Sequence, residues 1–393
     1  MRSFYRAWNR ILIAVFVAAI ALPGVGTLLH LDREAASGEK RELAPFPSLH
    51  PDWASLRSFP DGFARYFEDN FAFRTRLVRW QAAIRLNALH VSPSPAVVAG
   101  RNGWLFYADD GALQDYVDEK PFTRDELEAW RLTLQHTQDW LHERGISYLF
   151  VIAPDKHVIY PELFPASVHR LHDQSRMDQL VAYLRAYSTV NVLDLRPALL
   201  NARAHERVYH RTDTHWNDRG AFAGYQEIAD RLGLHPLPRA DFEAEDVKTE
   251  GRDLAGMLGL TDVLSEDDLR LAPRRARRAQ IVEPAHPNAF YEDARIVTEQ
   301  TDRSLPRAVV FRDSFASALI PFLSEHFSRA VYLWQNDFDP EVVEQEHPAM
   351  VIQEWVGRHL DNQWPYDAVA DLPQQPDHAI ARIWRNTAVS PHP

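Results

Sequence analysis

Short apolar-rich runs, set apart by amphipathic stretches, limit what this chain can fold into more than any other feature. Tyr148–Ala153, Val192–Leu195, Ala308–Phe311, Ala330–Trp334 and Met350–Ile352 have the length and character of strands covered on both faces. Helical faces lie between them. Thr123 and Glu126 form a capping-box pattern ahead of Leu127, Trp130, Leu134 and Leu141, and that helix is expected to end near Gly145. Met177, Leu180, Val181 and Leu184 supply the next face, and Arg219–Leu232 another. Strands alternating with helices predict an α/β fold with a mainly parallel central sheet. Charges and prolines break the rhythm between His235 and Leu305, so residues 235–305 read as an insertion with some antiparallel strand.

The N-terminus reads differently. Arg2, Arg6 and Arg10 precede an uncharged apolar stretch from Ile11 to Leu29, close to the roughly 20 residues that span a bilayer. Basic residues stay on the cytoplasmic side. Residues 1–30 are therefore expected to be a signal anchor in the inner membrane, with the remainder periplasmic in a Gram-negative source. Small residues from Ala18 to Gly26 also fit a cleavage site, so a cleaved signal peptide stands as the alternative. Pro45, Pro47, Pro51 and Pro60 in a polar setting predict an extended tether over 31–60. Leu77, Trp80 and Ile84 predict an amphipathic helix opening a main domain over 61–390, and Gly103–Phe106 a short strand.

The balance of 43 Lys plus Arg against 55 Asp plus Glu, net −12, argues against a nucleic-acid partner. With no cysteine, disulfides, thiolate metal sites and cysteine nucleophiles are excluded, while an oxidising compartment remains permitted.

Two segments carry the candidate chemistry. In Asp213-Thr214-His215-Trp216-Asn217, just before a helix, Asp and His two apart can meet in a turn. A carboxylate on one imidazole nitrogen fixes the tautomer and leaves the other to take a proton from a nucleophile. Such a pair also occurs in loops whose Asp satisfies backbone donors. In Phe311-Arg312-Asp313-Ser314-Phe315, a serine follows an apolar strand and precedes a helix expected to contain Leu319, Phe322 and Leu323. The carboxyl ends of strands in open α/β sheets are where ligands bind, and amides at such a junction, the Ser314 N–H among them, favour an oxyanion. A serine there also serves as a simple helix cap.

Taken together, Asp213-Thr214-His215-Trp216 and Asp313-Ser314-Phe315 resemble the paired motifs of the SGNH hydrolase-like exopolysaccharide (alginate-type) O-acetyltransferases, the AlgJ/AlgX-like family. The resemblance runs from about Glu42 to Leu360 and includes Asn70-Phe71-Ala72-Phe73-Arg74, Gly103-Trp104-Leu105-Phe106, Pro154-Asp155-Lys156, Glu354 and Arg358. It implies an SGNH hydrolase-like three-layer fold with Ser314 as nucleophile, His215 as general acid/base and Asp213 as its orienter. Transfer of acetyl groups to exopolysaccharide hydroxyls through an acetyl-serine is the implied activity, with a membrane-embedded acyl-transfer protein as donor and no cofactor. The chain's end soon after the domain sets it nearer the AlgJ-like arrangement than the AlgX-like one, which carries a carbohydrate-binding module.

Lys156, Tyr160, Trp216 and Arg312 are assigned to substrate contact. For Lys156 and Tyr160 the alternative is an ion pair and packing beneath the loop. Arg312, which stands where many SGNH esterases have glycine, is either an anion contact or half of a surface ion pair. Arg274, Arg275, Arg277 and Arg278 suit a polyanionic polymer or an ordinary solvated face. His205, His210, Asp213 and His215 could instead ligate zinc, but their spacing fits no helical ligand pair, and no metal is expected. A polysaccharide O-acetyl esterase with the same triad and a non-catalytic polysaccharide-binding component remain as other readings.

Overall fold

The computed structural model describes residues 2–29, 44–287 and 291–371. The expected tether over 31–43 and the end of the expected domain beyond 371 lie outside the described residues. The chain forms two compact units: one runs to Ser94 and includes Ala255–Val263, and the other comprises Pro95–Leu254 and the chain from Leu264 onward.

In the first unit, helix α1 (Arg2–Leu28) is long and apolar enough to cross a membrane over Trp8–Thr27. Most of its side chains are exposed, but Gly26 is buried. A Cβ there would lie 2.8 Å from the Cβ of Ala72, so glycine permits a close approach, and beside it the Ala72 N–H donates to Thr27 Oγ1 at 2.9 Å. Helix α2 (Trp53–Asn70) is capped by Asp52, which accepts from the Ser55 N–H. Trp53–Pro60 are thus helical where an extended tether was expected. Phe59, Phe63 and Phe67 recur at helical spacing and their rings stack in sequence, with Phe46 edge-on to the first two. That apolar ladder outweighs the roughly 3 kcal/mol cost of an interior proline. Helix α3 (Arg74–Asn87) contains Leu77, Trp80 and Ile84, as their spacing predicts.

The second unit opens with an antiparallel pair, β1 (Val97–Ala99) and β2 (Leu105–Tyr107). The central sheet is built from β3 (Ser147–Ala153), β4 (Val192–Asp194), and later strands. β5 (Phe242–Glu250) and β6 (Ser265–Pro273) form a separate antiparallel hairpin. β7 (Gln280–Glu283), β8 (Arg295–Glu299), β9 (Arg307–Arg312), β10 (Arg329–Trp334) and β11 (Met350–Val356) complete the set. The seven-stranded order is β4-β3-β11-β9-β10-β8-β7. β4 through β10 pair in parallel, whereas β8 and β7 add antiparallel. The sheet is therefore mixed, and part of the segment read as an insertion extends it. β7 and β8 hid in the sequence because they are short and flanked by charge.

Alternation along β3 shows why both sheet faces are covered. Leu149, Val151 and Ala153 join one apolar layer while Phe150 and Ile152 join the other. The helix Asp218–Arg231 covers the first layer with Phe222, Tyr225 and Ile228. Helices Arg124–Glu143 and Arg176–Tyr187 cover the second with Trp130, Leu134, Leu180 and Leu184. The predicted capping box of Thr123 and Glu126 is formed, and Ser175 with Asp178 makes another. After β9 the expected single helix is instead two short turns, Phe315–Ala318 and Ile320–Leu323. Pro321 lacks the N–H needed to carry one ladder across both.

One contact fixes how the helix Asp218–Arg231 meets the loop before it. A Cβ on Gly220 would fall 2.2 Å from the Val208 carbonyl oxygen and 2.8 Å from the Trp216 Cβ. Because one of these atoms is backbone, Gly220→Ala is expected to cost about 1–3 kcal/mol of stability by overpacking. Urea denaturation checks this, and an unchanged midpoint would contradict the close approach.

Candidate active site

The loop bearing Asp213 and His215 is closed at its base by an antiparallel bridge between Tyr209 and Trp216. The Asn217 N–H donates to the Val208 carbonyl at 3.0 Å, and the Asn217 side chain accepts from Arg219 and Gly220 N–H groups, capping the next helix. Within the loop, Asp213 Oδ1 accepts from the His215 N–H at 3.0 Å and lies 2.8 Å from His215 Nδ1. Thr214 N–H donates to Asp253 Oδ1 at 2.8 Å, tying the loop's tip to a second carboxylate. From beneath, the Lys156 ammonium donates to the carbonyls of His210, Arg211 and Asp213 at 3.1, 3.3 and 2.5 Å.

Ser314 stands where β9 ends, beside the carboxyl ends of β11 and β3. Asp313 shapes its turn: Oδ1 accepts from the Phe315 N–H at 2.8 Å and Oδ2 from the Val356 N–H at 2.7 Å. The Asp313 N–H donates to Glu354 Oε2 at 3.2 Å. The Ser314 N–H has no partner among the described residues. His215 Nε2 lies 2.8 Å from Ser314 Oγ, and Trp216 Nε1 donates to the Phe315 carbonyl at 3.0 Å, joining the two loops twice.

Charge is distributed to suit a proton acceptor. Burial works against a charged imidazole, but the hydrogen bond and charge of Asp213, aided by Asp253, outweigh it and raise the His215 pKa. Burial likewise opposes ionised Asp213, yet the hydrogen bond and charge of His215 hold it well below the usual carboxylate range. Burial brings Lys156 down to about 8 against the pull of Asp253, Asp213 and Glu266. Burial and the neighbouring charge of Asp313 push Glu354 well above the ordinary carboxyl value.

The four residues assigned to substrate contact are placed otherwise. Lys156, Tyr160, Trp216 and Arg312 are all buried, at 3%, 6%, 2% and 0% exposure, and their bonds run to the protein's own backbone. Tyr160 Oη accepts from the Val208 N–H, and Arg312 donates to the carbonyls of Tyr291, Asp293 and Asp313 and to Ser317 Oγ. Its guanidinium also lies over the Trp334 ring. Arg312 is thus neither a surface pair nor a groove contact; it braces the turn that presents Ser314.

Of the four residues weighed as zinc ligands, Asp213 and His215 cluster with Asp253 rather than with His205 or His210. His210 instead faces Asp268 at 2.8 Å. Both His215 nitrogens are already engaged by Asp213 and Ser314.

Asp253 and Glu266 had no local signal in the sequence, since they approach the loop only through the 242–273 segment. Glu266 accepts from the Arg211 N–H and the Thr212 hydroxyl. Arg358 and Asp155 meet in a buried pair, N–H to Oδ2 and Nη1 to Oδ1, both at 2.8 Å, joining the ends of β11 and β3.

Among curated proteins, the chain is 27% identical over 238 residues to the probable alginate O-acetylase AlgJ of Pseudomonas aeruginosa, covering 57% of this chain and 56% of that protein. Its counterpart in Azotobacter vinelandii is 25% identical over 325 residues, covering 76% and 78%. The chain spans about half the length of the first of these relatives. Among solved structures, Bacillus cereus PatB1 shares the fold at 17% identity and a TM-score of 0.50, over 67% of this chain and 97% of that one. Residues 97–333 match the ALGX family, the SGNH hydrolase-like domain of acetyltransferase AlgX, and the chain belongs to that family.

Proposed function

We propose that this protein is a membrane-anchored periplasmic O-acetyltransferase that esterifies hydroxyls of an exopolysaccharide through an acetyl-serine. The observation that carries the reading is the unbroken line from Asp213 through His215 to Ser314, with 2.8 Å at each step. His215 takes the Ser314 proton as Oγ attacks the carbonyl carbon of an acetyl donor, and returns it to the leaving group. A sugar hydroxyl then gives its proton to His215 and attacks the acetyl-serine, and Ser314 recovers the proton. Asp213 fixes the imidazole throughout and stabilises its positive form. The unpartnered Ser314 N–H is suited to the oxyanion.

The domain limits of this proposal are an anchor within 1–30, a connecting segment, and an acetyltransferase domain reaching toward 390. Family kinship supports a polymer acceptor, and the reading takes a membrane-embedded acyl-transfer protein as donor. An esterase would use the same residues and differ only in letting water take the acyl group, so the acceptor decides between them.

With an activated acetyl ester as donor, Ser314→Ala is expected to lose activity on the order of 10⁴-fold or more. Polymer binding should persist. Added acceptor oligosaccharide should become acetylated in preference to water in the native protein; acetate release alone would favour the esterase.

The direction of the His215 shift sets the pH dependence. The protonated imidazole cannot accept the Ser314 proton, so kcat/KM should fall as pH drops, with its midpoint above the ordinary histidine value of about 6.5. Asp213→Asn removes the group that raises that value. It should move the midpoint down and lower kcat by on the order of 10³–10⁴-fold. A midpoint indifferent to Asp213 would show that the carboxylate does not act on the imidazole.

A further inference from the structure

Helix α3 buries one side and leaves an apolar side bare. At 100° per residue, Ala82 and Leu86 fall on the covered side, while Leu77, Trp80 and Ile84 share the opposite one. These three are 42%, 67% and 59% exposed. The helix RTRLVRWQAAIRLN contains four arginines and no acidic residue. Arg85 flanks the apolar stripe, and Arg79 points away from it and pairs with Asp262 at 3.0 Å. A bare apolar stripe carrying tryptophan, with arginine beside it, suits the headgroup region of an anionic bilayer.

The helix is also positioned for it. The end of α1 is fixed to the turn that starts α3: Ala72 N–H donates to Thr27 Oγ1 at 2.9 Å, and the Gly26 backbone packs against Ala72 and Phe73. Thr27 is the last residue of the apolar span. The 14 residues of α3 therefore begin at the level where that span leaves the hydrocarbon, and at about 1.5 Å per residue the helix is only about 21 Å long.

We propose that α3 is a second membrane contact, seated on the anionic phospholipid surface through Leu77, Trp80 and Ile84, with Arg85 at the phosphates. Together α1 and α3 would fix the orientation of the emerging chain instead of leaving it on a free swivel. The inference rests on α1 being the membrane span.

The chain has no cysteine, so single labels can be placed without background. The full chain carrying Trp80→Cys, or Ile84→Cys as a second position, is labelled with an environment-sensitive fluorophore and reconstituted in nanodiscs of phosphatidylcholine and phosphatidylglycerol. Val17→Cys in α1 and Tyr187→Cys on the second unit serve as references.

Headgroup-region nitroxide lipids should quench the labels at 80 and 84 by roughly twofold or more, as for a helix seated 5–10 Å into the interface. The label at 187 should stay bright. Arg85→Glu, or discs lacking phosphatidylglycerol, should reduce quenching at 80 and 84. If position 17 is quenched by nitroxides deep in the acyl chains while 80 and 84 stay unquenched, α1 spans and α3 does not dock. The apolar face then belongs to a protein partner, and the proposal fails. If position 17 is itself unquenched, the anchor reading on which the proposal rests fails.

Discussion

One imidazole must reach two partners, one two residues before it and one 99 residues after it, and most of the second unit can be understood as a way of meeting that demand. His215 sits on a loop that the Tyr209–Trp216 bridge closes, and Ser314 on a turn that the parallel strand β9 delivers. A difference of an ångström between them would break the line to Asp213, so their register has to be set by contacts stiffer than the side chains involved. Trp216 supplies one, donating its indole N–H to the Phe315 carbonyl and packing on the Phe315 ring. Gly220 supplies the room for the Val208 carbonyl and the Trp216 Cβ to sit against the helix behind them.

The groups that hold these loops are mostly ionisable and buried, an expensive arrangement unless each is paired. Lys156 spends all three donors on loop carbonyls, and Glu354, its pKa raised by burial and the charge of Asp313, accepts from the Asp313 N–H. Arg358 and Asp155 neutralise each other between β11 and β3. These buried supports are held largely by ion pairs and hydrogen bonds to the backbone, while His215 and Ser314 stay partly exposed. That division accounts for the burial of Lys156, Tyr160, Trp216 and Arg312, the residues expected to touch substrate.

Strands and their order of types were readable because each buried strand is a compact apolar run, and the two motifs stood out because they fall at strand and helix boundaries. Lys156 looked like a groove residue since it follows β3 at the correct sheet edge, and nothing local could reveal three carbonyls waiting 54 to 57 residues away. Arg312 misled for a related reason. Its neighbours Tyr291 and Asp293 come from a segment whose strands were masked by charge. Asp253, Glu266 and the extension of the sheet by β7 and β8 were illegible on the same ground: a hairpin folded onto the site creates contacts that no periodicity encodes. Trp53–Pro60 failed differently, because proline content was weighed above the spacing of Phe59, Phe63 and Phe67.

The central claim is that Ser314 carries the acyl group between donor and acceptor. Intact-protein and peptide mass spectrometry after brief exposure to an activated acetyl ester tests it directly. A single acetyl increment is expected on the peptide containing Ser314, absent from Ser314→Ala and discharged when a polysaccharide acceptor is added. Turnover without any acetyl on that serine, or an increment that survives Ser314→Ala, would contradict it.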